Sequence, residues 1–533
     1  MTQNQDKPPA PPSERATNQI ERRPSVPAHN RATYWLTRFL ILRLLGFIYS
    51  VAFLAAANQI APLVGEHGLL PAKLFMTRVE NQFGSAFDAF LQLPSIFWIH
   101  LSDSFMVIIA WVGVGLSIIV LLGYANAVLM AVLWMLYMSF VHIGQDWYGY
   151  GWEIQLLETG FLAIFLCPLF DPRPFGKYAP PQVVVWLFRW LIFRIMLGAG
   201  LIKMRGDPCW RDLTCLYYHY ETQPIPNPLS WWLHSQPHWF HKLGVLWNHF
   251  VELIVPWFAF WPRTGRHIAG ALLVAFQITL ILSGNLSFLN WLTIVPALAC
   301  FDDSVLVRFV PKNFRKRLPL GLALETTHQE SSRRQFFPWT VAAFIAVLSI
   351  PPVANMLSSG QIMNTSFNRF HLVNTYGAFG SVGRTRYEIV FEGTDDKALS
   401  PATRWREYGF KAKPGNPHRR PAFIAPYQPR IDWQIWFAAM STPDQYPWTL
   451  HFIWKLLHND PGTLSLLATN PFPERPPHFV RAQYYKYQFA LSGDPSGDWW
   501  KRTLLGNWLP ALSADDPRLI QIMKAYGWSV EPN

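Results

Sequence analysis

Between Ser104 and Gln145 the chain runs for 42 residues without a single Asp, Glu, Lys or Arg. A bilayer core is crossed by about 20 apolar residues of α-helix, so this stretch is long enough to cross twice. Gly123, Tyr124 and Asn126 mark a turn between the two crossings. Two adjacent helices that are apolar on every side have no polar face to give to water, and the rest of the chain agrees with a lipid environment. Only 15% of the 533 residues are charged, against about 25% in ordinary soluble domains. Tryptophan supplies 26 residues, and its ring prefers the membrane–water interface. The net charge of +12 does not indicate nucleic acid, because the 45 Lys and Arg form no long basic run and lie mostly between apolar segments.

Apolar length and break residues predict spans near 39–60, 104–123, 125–143, 153–170, 183–203, 244–261, 267–283, 286–301 and 336–357. Residues 1–38 hold six Pro, six basic and three acidic residues and no apolar signal core, which reads as a disordered cytoplasmic tail. Cytoplasmic loops collect Lys and Arg. With the tail inside, 17 basic residues fall on its side of the membrane and six on the opposite side. Nine crossings then place everything after residue 357 outside the cytoplasm. That last part changes character: Pro and Gly punctuate alternating stretches such as RYEIVFEG (386–393) and VRAQYYKYQFA (480–490), the pattern of half-buried strands, with a helix expected over Trp448–Leu457. The expected fold is an α-helical polytopic membrane bundle of about nine spans over 39–357, followed by an extracytoplasmic β-rich domain over 358–533.

Ionisable side chains inside a membrane are costly and usually face the bundle interior with partners. Glu153, Glu158, Arg194, His249 and Glu252 lie in the outer halves of spans four to six and predict a polar outer cavity, with Glu158 and Arg194 as a pair. Structural salt bridges between helices, without a ligand, are the alternative. The connection from Lys203 to Lys242 far exceeds the usual helix–helix loop of about 2–8 residues, which marks it as functional. It contains Cys209 and Cys215, placed where an oxidising compartment could join them in a disulfide. A redox-active pair is the competing reading, although the spacing is not CxxC. His234, His238 and His241 have ligand-like spacing, but Pro237 interrupts a regular helix there and no metal is predicted. In PHRRPAFIAPYQPRIDWQIWF (417–437) a basic turn sits beside Trp433 and Trp436, forming either a binding edge or a packed loop. Asn285 and Asn364 begin Asn-x-Ser/Thr triplets. No GxSxG, HExxH, GxxxxGK[ST] or GxGxxG occurs, so neither a common enzymatic site nor a cofactor is implied.

The block GDPCWRDLTCLYYHYETQPIPNPLSWW, followed by NHFVELIVPWF, resembles the hallmark of the lipase maturation factor family. GEHGLLPA (65–72), RFHLVNTYGAFG (369–380), RYEIVFEG and PHRRPAFIAPYQPRIDWQ are similar to further blocks of that family. The resemblance implies a multi-span membrane protein that helps secreted lipases fold and assemble, with Trp433 and Trp436 as candidate client contacts and the bilayer and a lipase as partners. It implies an endoplasmic reticulum membrane in a eukaryote or an inner membrane in a bacterium. A shorter likeness, AGLIK (199–203), is similar to an element of the vitamin-K-dependent carboxylase-like membrane superfamily. It implies an alternative in which Lys203 is a proton-abstracting base acting with a lipid-soluble cofactor; a lysine that snorkels to the interface is the simpler reading. The charge asymmetry makes one direct prediction: a reporter fused after Asn533 is active only if it needs the extracytoplasmic side, and cytoplasmic activity would require an even number of spans.

Overall fold

The computed structural model describes residues 32–176, 178–315, 332–490 and 493–530. The expected cytoplasmic tail lies, up to residue 31, outside the described residues, and helix α1 (Trp35–Val64) begins before the tail was expected to end. After it come α2 (Ala72–Phe83), α3 (Ala86–Gln92), α4 (Asp103–Leu122), α5 (Ala127–Ile143), α6 (Gly151–Leu166) and α7 (Gln182–Arg205). Each of the nine expected spans coincides with a helix. Among the described residues six are both long and apolar enough to cross a membrane: α1, α4, α7, His238–Phe260, Arg263–Ser283 and Phe336–Leu357. The apolar helices Ala127–Ile143 and Leu289–Cys300 are shorter, and α6 has 16 residues.

Local chemistry sets the ends of these helices. Ser102 caps α4 by accepting from Phe105 N, and Asn126 caps α5 by accepting from Leu129 N at 2.8 Å, which satisfies first-turn N–H groups that have no partner within the helix. Between them Gly123 adopts φ +130°, a conformation that favours glycine, and makes the expected turn. The start of α1 is capped from far along the chain: Asp303 accepts from Trp35 N at 3.0 Å and from Leu36 N at 2.8 Å. Beside it, Asp302 holds Arg263 at 3.0 Å and Arg266 at 2.8 Å. These carboxylates fasten one end of the bundle.

Helices in a bilayer gain little from burying apolar surface against each other, so close packing must come from small residues at the contact. On the α1–α4 interface, a Cβ added to Gly46 would sit 2.7 Å from the backbone N of Leu121.

The connection over 203–242 is folded. It forms α8 (Pro208–Arg211), α9 (Leu216–Thr222) and α10 (Pro228–His234), and then α11 (His238–His249) begins the long segment His238–Phe260. That segment continues as a π turn over Phe250–Ile254 and a 3₁₀ turn over Val255–Phe260. Next come α12 (Arg263–Ser283) and α13 (Leu289–Ala297).

The C-terminal part holds one antiparallel sheet in the order β2-β1-β3-β4, with β1 (Arg386–Thr394), β2 (Arg406–Glu407), β3 (Phe479–Phe489) and β4 (Trp500–Leu512). Arg386 opposes Tyr487 and Thr394 opposes Phe479, while Phe489 opposes Trp500. Both strands expected from alternation are present, and the expected helix is found at Trp448–Leu457. It packs on the sheet, with the Phe452 ring 4.9 Å from that of Phe391. The segment expected to be a turn or loop instead contains a helix, Arg430–Ala438, which starts directly after Pro429. Proline at the start of a helix costs no hydrogen bond, so Pro429 delimits this helix without breaking it. The packing contrast on α1 and α4 predicts that Gly46→Ala lowers stability by about 1–3 kcal/mol through overpacking. Gly115→Ala, where a Cβ meets nothing within 4 Å, should leave the melting temperature in detergent unchanged.

Candidate functional site

The bundle end that carries the C-terminal part, called the outer end here, is built from buried charges that each reach across elements. Glu158 of α6 pairs with Arg194 of α7, and both side chains are at most 2% exposed. The second Glu158 oxygen accepts from Asn374 N at 3.0 Å, Asn374 Nδ2 at 3.1 Å and Tyr376 Oη at 2.7 Å, while Arg194 donates to the Asn374 carbonyl at 2.7 Å. The expected helix–helix pair therefore also grips the chain leading into the sheet. Glu153, also on α6, pairs instead with Arg430 at 2.8 Å, accepts from Tyr137 and is fully buried. Gln59 near the end of α1 accepts from Arg430 N at 2.9 Å and donates to the Gln428 carbonyl at 2.8 Å.

Lys203 does not snorkel. It is 4% exposed and donates to Glu252 at 2.5 Å and to Asn248 Oδ1 at 3.0 Å, with its ammonium 5.0 Å from the Trp210 ring centre. Asn248 Nδ2 closes the triangle by donating to Glu252 at 2.9 Å. Glu252 sits in the π turn that follows α11. His249 instead meets the Trp210 carbonyl at 2.9 Å. The five residues expected to form one polar cavity thus lie in separate clusters, and of the five only Glu252 lines the main cavity.

That cavity, about 430 Å³, lies where α6, α7, α9, α12 and α13 meet the C-terminal part, and Gln155, Met196, Gln277, Asn290 and Trp433 are among its walls. Trp433 is only 4% exposed and packs at 4.9 Å against Trp152, so of the two readings offered for 417–437 its surroundings match the packed one and not an open binding edge. Trp436 is half-buried and donates to the Thr222 carbonyl at 3.0 Å. Both tryptophans join the helix Arg430–Ala438 to the layers beneath it.

The folded connection is the middle layer. Arg386 of β1, fully enclosed with Glu388, donates to the carbonyls of Glu221 at 2.9 Å and of Gln223 and Pro224, and so holds the α9–α10 turn under the sheet. Cys209 and Cys215 are joined as a disulfide with Cα atoms 4.8 Å apart, and both are buried. Asp207 caps the turn before them by accepting from Cys209 N at 3.0 Å. Its two-pronged contact with Arg384 pulls its carboxyl down to about 2. Burial, helped by the nearby Lys203 charge, pushes His219 down to about 4, so that its imidazole faces the cavity neutral. Among the described residues no group of three His, Cys, Asp or Glu is arranged to hold a metal ion; His234 lies 3.6 Å from Glu221. Asn285 is 2% exposed and uses its side chain on Ala422, Ile424 and Ala425, so it is inaccessible to glycosylation, whereas Asn364 is exposed.

Sequence reasoning missed Gln59, Asn248, Asn374, Tyr376, Arg386 and Arg430. No spacing rule could have found them, but five stand in blocks already noted for their resemblance to one family: Asn248 in NHFVELIVPWF, Asn374 and Tyr376 in RFHLVNTYGAFG, Arg386 in RYEIVFEG and Arg430 in PHRRPAFIAPYQPRIDWQ.

Comparison with known families agrees with that resemblance over both halves of the clamp. Residues 36–308 match the lipase maturation factor transmembrane domain, and residues 372–510 match the lipase maturation factor C-terminal domain. The chain belongs to the lipase maturation factor family. It is 49% identical to lipase maturation factor 1 of Bos taurus over 515 residues, covering 92% of each chain. It is 48% identical to lipase maturation factor 1 of Homo sapiens, covering 92% of this chain and 90% of that one. Lipase maturation factor 2 of Xenopus laevis is 31% identical, with 93% of this chain and 85% of the relative covered. No solved structure matches. The matched families and these relatives give the carboxylase-like alternative no support, and the chain is a multi-pass membrane protein of this family.

The Lys203 triangle yields a test of its structural role. Lys203→Met would strand a buried Glu252 carboxylate and should cost about 3–5 kcal/mol. Adding Glu252→Gln should restore most of that loss, as read by thermal unfolding in detergent. A neutral single variant would mean that the pair does not hold the helices together.

Proposed function

We propose that this chain is a membrane maturation factor that assists the folding of secreted lipases on the extracytoplasmic side, the side the basic-residue asymmetry assigns to the C-terminal domain. In a eukaryotic cell that side is the lumen of the endoplasmic reticulum; in a bacterium it is the outer face of the inner membrane. The observation that carries the reading is the match to lipase maturation factors over both the bundle and the C-terminal part, because the clamps described above join those two parts. On this reading 1–38 is a cytoplasmic tail, 39–357 the membrane domain and 358–533 the client-facing domain.

The client surface follows from the sheet. β4 is an edge strand of 13 residues, and among the described residues no strand pairs with its outer side. Leu504 is 54% and Leu505 49% exposed on it. An edge with unspent backbone hydrogen-bonding groups and apolar side chains can accept an extended segment of a partly folded chain as an added strand. Trp433 and Trp436 then serve the client indirectly, by holding the helix Arg430–Ala438 against the α9 layer. Lys203 and the buried carboxylates do the same for the bundle.

Co-expression with a secreted lipase tests this. Leu504→Glu with Leu505→Glu should reduce active secreted lipase several-fold while the amounts of lipase synthesised and of this protein in the membrane stay constant. Trp436→Ala should reduce it too, but with a lowered melting temperature. Normal lipase activity with the double glutamate variant would remove β4 from the mechanism.

A further inference from the structure

The cavity at the outer end carries hydrogen-bonding capacity that the protein itself leaves unused. Gln155 on α6, Gln277 on α12 and Asn290 on α13 all line it, and they are 0%, 3% and 4% exposed. Gln155 donates to Thr293 at 3.0 Å, but its Oε1 has no partner. Among the described residues the Gln277 side chain reaches only the Met196 sulfur, at 3.6 Å. The Asn290 side chain makes no hydrogen bond to any described residue. Hydrogen-bonding capacity left unused on a buried amide costs free energy, and three amides with capacity to spare around one space of about 430 Å³ mark a site built for a ligand. Pockets of about 300–1,000 Å³ hold drug-sized molecules.

The chemistry of the ligand can be read from what is spent and what is free. Each charged group on the wall already has a partner: Glu252 is held by Lys203 and Asn248, and Arg386 by Glu388 and three carbonyls. An anionic or cationic headgroup would find no counter-charge. The free groups are uncharged amides that both donate and accept, which suits hydroxyl and ester oxygens. The remaining walls include Ile195, Phe276, Leu280 and Leu286, which suit a hydrocarbon body. Glu252 enters the cavity from the π turn, an irregularity of a kind often found at functional sites.

We propose that this cavity binds a neutral, hydroxyl-bearing single-chain lipid of the monoacylglycerol class, with its headgroup on Gln155, Gln277 and Asn290. The inference goes beyond the maturation role and requires no client, so failure of either leaves the other standing.

The test uses the full chain in phosphatidylcholine nanodiscs and a monoolein analogue carrying a photoreactive group on its acyl chain. Crosslinks are expected on cavity-lining peptides of α7, α12 or α13, displaced by excess monoolein but not by oleate or oleylamine. Gln277→Leu and Asn290→Leu should each lower labelling about tenfold, the loss of one or two hydrogen bonds. Ala199→Phe, which fills the cavity, should abolish it. Labelling that monoolein does not displace, that oleate or cholesterol displaces better, or that maps to lipid-facing side chains such as Trp257 and Ile268 would overturn the proposal. If a variant fails to fold, the displacement series and the crosslink map on the unaltered chain decide the matter alone.

Discussion

The outer half of this structure depends on the buried carboxylate of Glu158. A charge in that setting is tolerable only when every lone pair is used, because the desolvation cost is offset only by good geometry and additional hydrogen bonds. Arg194, the backbone and side chain of Asn374 and the Tyr376 hydroxyl supply those contacts. Three of the four groups come from a segment more than 200 residues further along the chain. The consequence is cooperative: the α6–α7 contact and the docking of the C-terminal part complete one another, since either alone leaves a charge or a polar group unpaired. Glu153 with Arg430 repeats the arrangement one turn earlier on α6.

The folded connection exists for a related reason. A sheet placed directly on helix ends would face carbonyl groups without partners, since the last turn of a helix leaves several of them free. Short helices between Pro208 and His234 fill that layer, and one arginine, Arg386, takes up the carbonyls of Glu221, Gln223 and Pro224 where the chain turns between α9 and α10. A planar guanidinium with five donors suits this task, and lysine would not replace it. The disulfide between Cys209 and Cys215 and the Asp207–Arg384 contact fix the start of the same layer.

How much of this was legible in the sequence follows from the range of each interaction. Spans were legible because apolar length is a local property, and all nine predicted positions fall on helices, six of them long and apolar enough to cross a membrane among the described residues. The Glu158–Arg194 pair was legible because its members lie 36 residues apart on neighbouring helices. The partner of Glu153 lies 277 residues away and was not. Strand alternation revealed β1 and β3, whereas β4, bent by a bulge beside Gly506 at φ +150°, lost its period. Trp433 and Trp436 left two readings open because composition does not separate an aromatic that faces a client from one that fills a junction. Pro429 hid the helix that carries them, since a proline at a cap and a proline in a loop look alike in sequence.

The arrangement separates two demands that a membrane-bound folding factor must meet. Holding a partly folded chain requires an accessible, adaptable edge, and such an edge is by nature weakly constrained. Anchoring that edge at a fixed height above the bilayer requires the opposite, a dense network with no unpaired group. Here the two fall on different strands of one sheet: β1, an interior strand enclosed over nearly all of its length, reaches the layer beneath through Arg386, while β4 is the edge strand and carries the exposed leucines. β3 lies between them and bonds to both, so the exposed edge strand is tied through a single intervening strand to the residues that fasten the domain to the membrane bundle.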